Sequence, residues 1–166
     1  FWATVKERGM MAAVDAFKRC AELEPTDKES FRQLGRSFAE LQRYEQALDA
    51  YDHALKLDPR DADAWFLKAL SLEWLERMDD ALEAAKEAVH WDKSRPELSM
   101  KVGSLLTRMG RAEEALDPFD SALKVSPKNI MVLRAKNDVL KTLKRYEEVV
   151  ATCNEILAID KKDRDA

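Results

Sequence analysis

Hydrophobic and polar residues alternate along this chain with the period of an α-helix. In the stretch 28–41 an apolar residue recurs every three or four positions: Phe31, Leu34, Phe38 and Leu41. This spacing places the apolar side chains on one face of a helix. A second stretch of the same kind follows a short polar break and is closed by Pro59, which cannot continue a helix. The pattern predicts two amphipathic helices joined by a tight turn.

The same unit recurs along the chain at a spacing of 34 residues. Small residues mark this lattice most clearly, in the series Ala13, Ala47, Ala81 and Ala115. Closing prolines fall on it as well, at Pro25, Pro59 and Pro127. Helices that cross closely need small side chains at the contact. The lattice therefore predicts closely packed helix pairs repeated along the chain.

The unit resembles the tetratricopeptide repeat family. It supplies the family's first aromatic, Leu-Gly pair, second aromatic, paired alanines around a third aromatic, and closing proline: Phe31, Leu34, Gly35, Phe38, Ala47, Tyr51, Ala54 and Pro59. The resemblance extends over essentially the whole chain. It implies an all-α fold, a right-handed superhelix (α-solenoid) of antiparallel helix-turn-helix repeats, and a role as a protein-protein interaction scaffold.

We expect one array over residues 1–166, excised from a longer one. Its predicted units are a partial repeat over 1–27 that is mainly a second helix, repeats over 28–61, 62–95 and 96–129, a divergent repeat over 130–161, and the start of a truncated further repeat over 162–166. Within the first unit, Arg8-Gly9 predicts a turn between two helices. Pro118 falls inside a predicted second helix, where a proline loses one backbone hydrogen bond, so we expect a kink there.

In this family the first helices line the concave side of the superhelix, so their unpacked positions are the expected contacts with a peptide or partner helix. The residues expected to form this groove are Arg32, Arg36, Phe66, Leu67, Leu70, Trp74, Lys101, Arg108 and Arg134. Some family members clamp a C-terminal carboxylate with asparagines and basic residues. Here Arg36 and Leu67 stand where asparagines are expected and Glu97 replaces a lysine, so that clamp is not indicated.

The block Phe66, Leu67, Leu70 and Trp74 is the main departure from the pattern, because it makes the helix over 64–76 apolar nearly all round. A helix that is apolar on every side is expected to be buried on every side. The block is then either a hydrophobic floor for a partner or an internal packing surface. Self-association through the repeat ends, or through the patch around Trp74, is the alternative to binding a foreign protein.

Composition narrows the remaining classes of function. The formal net charge of −4 argues against nucleic acid as the partner, because a phosphate-binding chain should be clearly basic. No apolar run approaches the ~20 residues that cross a bilayer, so no membrane partner is expected. Cys20 and Cys153 lack metal-ligand spacing. We expect no metal, cofactor, small-molecule substrate or catalytic residue, and a cytoplasmic location, although targeting segments could lie outside this sequence.

Overall fold

A computed structural model describes the backbone of residues 2–164 and the side chains of residues 7–159. Within this range the regular structure consists of nine α-helices and no strand, so the predicted all-α helical-repeat class is confirmed. The helices are α1 Trp2–Leu23, α2 Lys28–Glu40, α3 Tyr44–Leu57, α4 Ala62–Trp74, α5 Met78–Trp91, α6 Pro96–Arg108, α7 Ala112–Val125, α8 Ile130–Thr142 and α9 Tyr146–Arg164. They form two compact units, α1–α5 and α6–α9.

Short polar side chains fix where three of the first helices begin. The Asp27 carboxylate accepts hydrogen bonds from the backbone N–H groups at the start of α2, at 3.0 and 3.1 Å. Asp61 accepts one at the start of α4, and Asn129 accepts two at the start of α8. Such caps satisfy backbone donors that have no partner within the helix. In α6 the preceding Arg95 makes no side-chain cap bond, and Pro96 begins the helix instead, where its missing N–H is not needed.

The turn inside each helix pair contains one residue with left-handed backbone. These residues are Gln42, Glu76, Gly110 and Lys144, with φ values of 59°, 59°, 76° and 60°. They recur at the 34-residue spacing of the sequence lattice. A left-handed conformation costs an L side chain about 1–2 kcal/mol, a cost that glycine avoids. Three of the four turns therefore carry local strain.

Small residues hold the helices of a pair together, as the lattice predicts. Ala47, Ala81 and Ala115 have no exposed surface. A Cβ atom placed on Gly35 would lie 2.5 Å from Cε1 of Tyr51, so α2 and α3 approach each other closely at this point. In the second unit, a Cβ on Gly103 would lie 2.8 Å from Cε1 of Phe119. The two glycines make room for the aromatic side chain on the following helix.

The structure corrects the expectation for the first unit. α1 is continuous from Trp2 to Leu23, and no turn interrupts it at Arg8-Gly9. A single glycine costs a helix only about 1 kcal/mol, and neither a proline nor a cap follows it here. α9 likewise continues across residues 161 and 162 to Arg164, where a further repeat was expected to begin, and residues 165–166 lie outside the described range. α7 is continuous through Pro118, and the kink stays a prediction.

Candidate functional site: a pocket between α2, α3 and α4

Helix α4 is only partly covered by its neighbours. Phe66, Leu67 and Leu70 are half-buried, whereas the Trp74 side chain is 70% exposed. Packing within the chain therefore does not explain why an apolar residue occupies position 74. The expectation that this helix is buried on every side is wrong at its C-terminal end.

An open pocket of about 230 Å³ lies beside this exposed end of α4. α2, α3 and α4 all contribute to it, with mainly apolar and aromatic side chains, three hydroxyl groups (those of Tyr44, Tyr51 and Ser71) and one pair of charges. Its lining consists of Arg36, Ala39, Glu40, Tyr44, Tyr51, Leu67, Leu70, Ser71 and Trp74.

A stacked aromatic pair forms one wall of the pocket. The rings of Tyr44 and Trp74 are nearly parallel, with an angle of 3° and centroids 5.9 Å apart. Aromatic pairs of this kind stabilise one another by about 0.5–1.5 kcal/mol. The stack holds the Trp74 ring in a defined position although most of its surface faces solvent.

The inner end of the pocket carries a buried hydroxyl group. Tyr51 is fully buried, and its hydroxyl forms no hydrogen bond of normal geometry, although the Ser71 hydroxyl lies close enough to interact with it. Burial raises the pKa of Tyr51, while the nearby Ser71 hydroxyl and the Arg36 guanidinium lower it to a smaller extent. Ser71 is itself only 1% exposed. The end of the pocket is therefore polar but uncharged at neutral pH.

The rim of the pocket has balanced charge. Nε of Arg36 lies 3.6 Å from a carboxylate oxygen of Glu40, one helical turn further along α2. Both side chains are largely exposed, and such pairs contribute little to stability.

Arg32, the other cation predicted on α2, is engaged in an ion-pair network. Its guanidinium donates to both carboxylate oxygens of Asp61 at 2.9 Å and to Asp63 at 3.4 Å. It also pairs with Glu29 on its own helix. Asp61 is 6% exposed and caps α4, so Arg32 links α2 to the start of α4. Arg32 therefore has a structural role, because it connects two of the helices that form the pocket.

The structure brings together four of the nine residues expected in the groove: Arg36, Leu67, Leu70 and Trp74 line the pocket. Phe66 lies on the same helix and does not line it. Lys101, Arg108 and Arg134 belong to the second unit, Lys101 and Arg108 on α6 and Arg134 on α8. Lys101 is half-buried, and the two arginines are exposed.

The sequence did not predict Tyr44, Tyr51 and Ser71 as part of the pocket. Tyr51 is a packing position of the repeat pattern, and no pattern in the sequence marks Ser71. Tyr44 follows the turn directly, where the helical pattern of α3 only begins. Its aromatic side chain next to a polar turn could have indicated a role in the pocket. A large ring at the exposed start of a helix is expected to pack against another element.

A larger groove of about 820 Å³ is lined by α3, α4 and α5 of the first unit. Charged side chains dominate its walls, and several are already paired. Lys68 lies 2.6 Å from Asp52 and 5.1 Å from the centre of the Trp65 ring, and Arg77 lies 2.6 Å from Asp80. Solvated helix faces typically have this character. We therefore regard the smaller, apolar pocket as the better candidate site.

In the described part of the chain, residues of the types that bind metal ions do not come together in a group of three or more. The described helices also include none that is long and apolar enough to cross a membrane.

Part of the chain matches the sequence model of a known protein family. The sequence model for the tetratricopeptide repeat matches residues 32–97, which include α3, α4, α5 and most of α2. The chain contains tetratricopeptide repeats. The matched range includes every residue that lines the pocket. This match supports the general class of protein-interaction scaffold. No curated protein matches the chain in a sequence search.

Solved structures share the fold of this repeat chain at low sequence identity. A crystal structure of MamA superposes with a TM-score of 0.87 and 16% identity, and the match covers 99% of this chain and 96% of that one. A crystal structure of YrrB, described as a TPR protein with an unusual peptide-binding site, gives a TM-score of 0.76 and 19% identity, with 95% and 80% covered. At these identities the similarity establishes the fold.

Proposed function

We propose that this chain is a protein-interaction scaffold that binds an extended peptide or a partner helix on the face formed by α2 and α4. The pocket between α2, α3 and α4 receives an apolar side chain of the partner. The tetratricopeptide family supports the class of function, and the peptide-binding site reported for YrrB is consistent with a peptide as the ligand. The proposal assigns no catalytic step to the chain.

The exposed ring of Trp74 is the observation that carries this proposal. At the equivalent positions of the other repeats, 34 or 68 residues away, the chain has Lys6, Glu40, Arg108 and Thr142. The repeat fold therefore does not need an aromatic side chain here. Leu70 shows the same departure from the repeats over 28–61, 96–129 and 130–161, where its equivalents are Arg36, Ser104 and Asp138, whereas its equivalent in the partial first repeat is Trp2. Apolar groups concentrated on one exposed face, where the repeat otherwise has polar ones, are typical of a binding surface.

Selection from a random peptide library displayed on phage tests the proposal without a known partner. Dissociation constants of the selected peptides are then measured by calorimetry for the wild type, Trp74→Ser and Leu70→Ser. Central aromatic contacts in interfaces often contribute about 2 kcal/mol or more, so we expect Trp74→Ser to weaken binding roughly 30-fold or more.

Trp91→Ser is the matched control, because Trp91 is 38% exposed, belongs to the same unit and does not line the pocket. It should leave the dissociation constants nearly unchanged. Peptides that bind Trp74→Ser and Leu70→Ser as tightly as the wild type would show that the α2 and α4 face is not the binding surface.

Self-association is the second candidate function, and one observation favours it. α9 exposes three large apolar side chains at helical spacing, Tyr146, Val150 and Leu157, which are 63%, 60% and 64% exposed. Light scattering across a range of concentrations tests this, with Val150→Glu as the variant. An oligomer that Val150→Glu dissociates would support assembly through α9, and a monomer at all concentrations would exclude it.

We also propose that the scaffold works in the cytoplasm. Both cysteines are free thiols in the structure, as is usual for proteins of reducing compartments. Fractionation of the source cells would test the location, and recovery of the protein outside the cytoplasmic fraction would contradict it.

A further inference from the structure

The Tyr51 hydroxyl has no evident role in folding. The Tyr51 ring packs against Gly35, as the Phe119 ring packs against Gly103 in the second unit. Phe119 fills its site without a hydroxyl, and the remaining equivalents of Tyr51 are Phe17, Ala85 and Cys153. A buried hydroxyl without a hydrogen-bond partner costs stability. The packing of the repeat therefore does not explain why this position carries a tyrosine.

The surroundings of this hydroxyl place it at the inner end of the pocket. Tyr51 itself lines the pocket, together with Ser71, Arg36 and Glu40. From this polar end, the apolar side chains of Leu67 and Leu70 and the Tyr44–Trp74 stack extend to the opening. The pocket is thus apolar along its walls, and the hydroxyl groups of Tyr51 and Ser71 are buried behind its inner end.

The size and charge of the pocket restrict what it can hold. Its volume of about 230 Å³ is below the roughly 300–1,000 Å³ of most small-molecule sites, so it suits a single side chain. Arg36 and Glu40 offset one another at the rim. A charged group would lose its hydration in the pocket without gaining a charged partner, which is unfavourable. The best occupant is therefore an uncharged side chain with an apolar body and a hydrogen-bonding tip.

We propose that the pocket recognises a tyrosine side chain of the bound peptide and that the Tyr51 hydroxyl is the specificity-determining group. The phenol ring of the ligand lies between Leu70 and the Tyr44–Trp74 stack, and its hydroxyl forms a hydrogen bond with the hydroxyl of Tyr51. Because the Tyr51 hydroxyl has no exposed surface, this contact requires a rotamer change of a half-buried side chain such as Leu67. The inference rests on the proposed function, because it concerns the same face of α2 and α4.

Two small probes separate the hydrogen bond from the apolar contact: 4-methylphenol, which is the tyrosine side chain, and toluene, which lacks the hydroxyl. Each is titrated into the wild type and into Tyr51→Phe, and the methyl NMR signals of Leu67 and Leu70 are followed. We expect Tyr51→Phe to weaken binding of 4-methylphenol about 5- to 10-fold, as for the loss of one hydrogen bond, and to leave toluene unaffected or slightly tighter.

Tyr146→Phe is the matched control, because Tyr146 is exposed, lies in the second unit and does not line the pocket. It should change neither affinity. Tyr51→Phe should fold, because Phe119 already occupies the equivalent site, and its thermal unfolding is recorded alongside. Equal effects of Tyr51→Phe on the two probes, no effect on 4-methylphenol, or no binding of 4-methylphenol at the pocket would each overturn the inference.

The peptide selection distinguishes this inference from the proposed function. Peptides that depend on Trp74 but show no enrichment of tyrosine would overturn the tyrosine specificity and leave the scaffold function standing. Conversely, 4-methylphenol could bind in a way that depends on Tyr51 while no selected peptide depends on Trp74. That result would support the pocket chemistry and contradict the binding of peptides on this face.

Discussion

Replacing Gly35 by alanine tests the contact between α2 and α3 that forms the inner end of the pocket. The new Cβ atom would lie 2.5 Å from Cε1, 2.7 Å from Cδ1 and 3.0 Å from Cζ of Tyr51. Two of these distances are below any normal carbon–carbon contact, and Tyr51 is fully buried, so its ring cannot move aside into solvent. Overpacking of this kind typically costs about 1–3 kcal/mol.

The gain in helix propensity from glycine to alanine, about 1 kcal/mol, opposes this cost. Because three ring atoms are affected, we expect the upper part of the overpacking range and a net destabilisation of about 1–2 kcal/mol. Urea unfolding, followed by circular dichroism and by tryptophan fluorescence, measures the change. The fluorescence signal should also respond before unfolding, since a displaced Tyr51 disturbs the pocket that Trp74 lines.

Gly9→Ala is the control for helix propensity alone. Gly9 lies within α1, and a Cβ atom there meets nothing within 4 Å. This substitution should stabilise the chain by up to about 1 kcal/mol. If Gly35→Ala were as stabilising as Gly9→Ala, then Tyr51 would not lie against Gly35, and the inner end of the pocket would have to be described differently.

Other substitutions test the supports of the site. Asp61→Ala removes the cap of α4 and leaves Arg32 without its most buried partner. We expect the free energy of unfolding, measured in urea, to fall by about 2–3 kcal/mol, and a fall below about 0.5 kcal/mol would contradict the ion-pair network. Gln42→Gly should stabilise the chain by about 1 kcal/mol by relieving left-handed strain, and a lower unfolding midpoint would argue against it. The Ser30 hydroxyl lowers the pKa of Asp27 below its ordinary 3.8, so this carboxylate stabilises the fold above that pH and ceases to do so as the pH falls through its folded pKa. Unfolding measured from about pH 6 to about pH 2 should therefore show a smaller loss of stability for Asp27→Asn than for the wild type, and parallel curves would contradict the shift.

The sequence lattice predicted the helices because each small residue at a 34-residue spacing corresponds to a close helix contact. It also located α4 as unusual, since Leu70 and Trp74 replace polar residues of the other repeats. It could not predict that Arg32 is held by Asp61, because that contact joins two repeats and depends on where the cap of α4 lies. The pattern marked Tyr51 as buried, but burial alone does not reveal whether a hydroxyl finds a partner.

The four left-handed turn residues bear on the order in which the chain folds. Gly110 alone adopts its conformation without the steric cost met by Gln42, Glu76 and Lys144. In repeat proteins folding can begin in any unit and spread to its neighbours. The hairpin of α6 and α7, which contains Gly110, has the least strained turn and is therefore favoured as a nucleus for folding. Hydrogen exchange should find its amides among the last to open, and moving the glycine to position 42 should shift that protection towards α2 and α3.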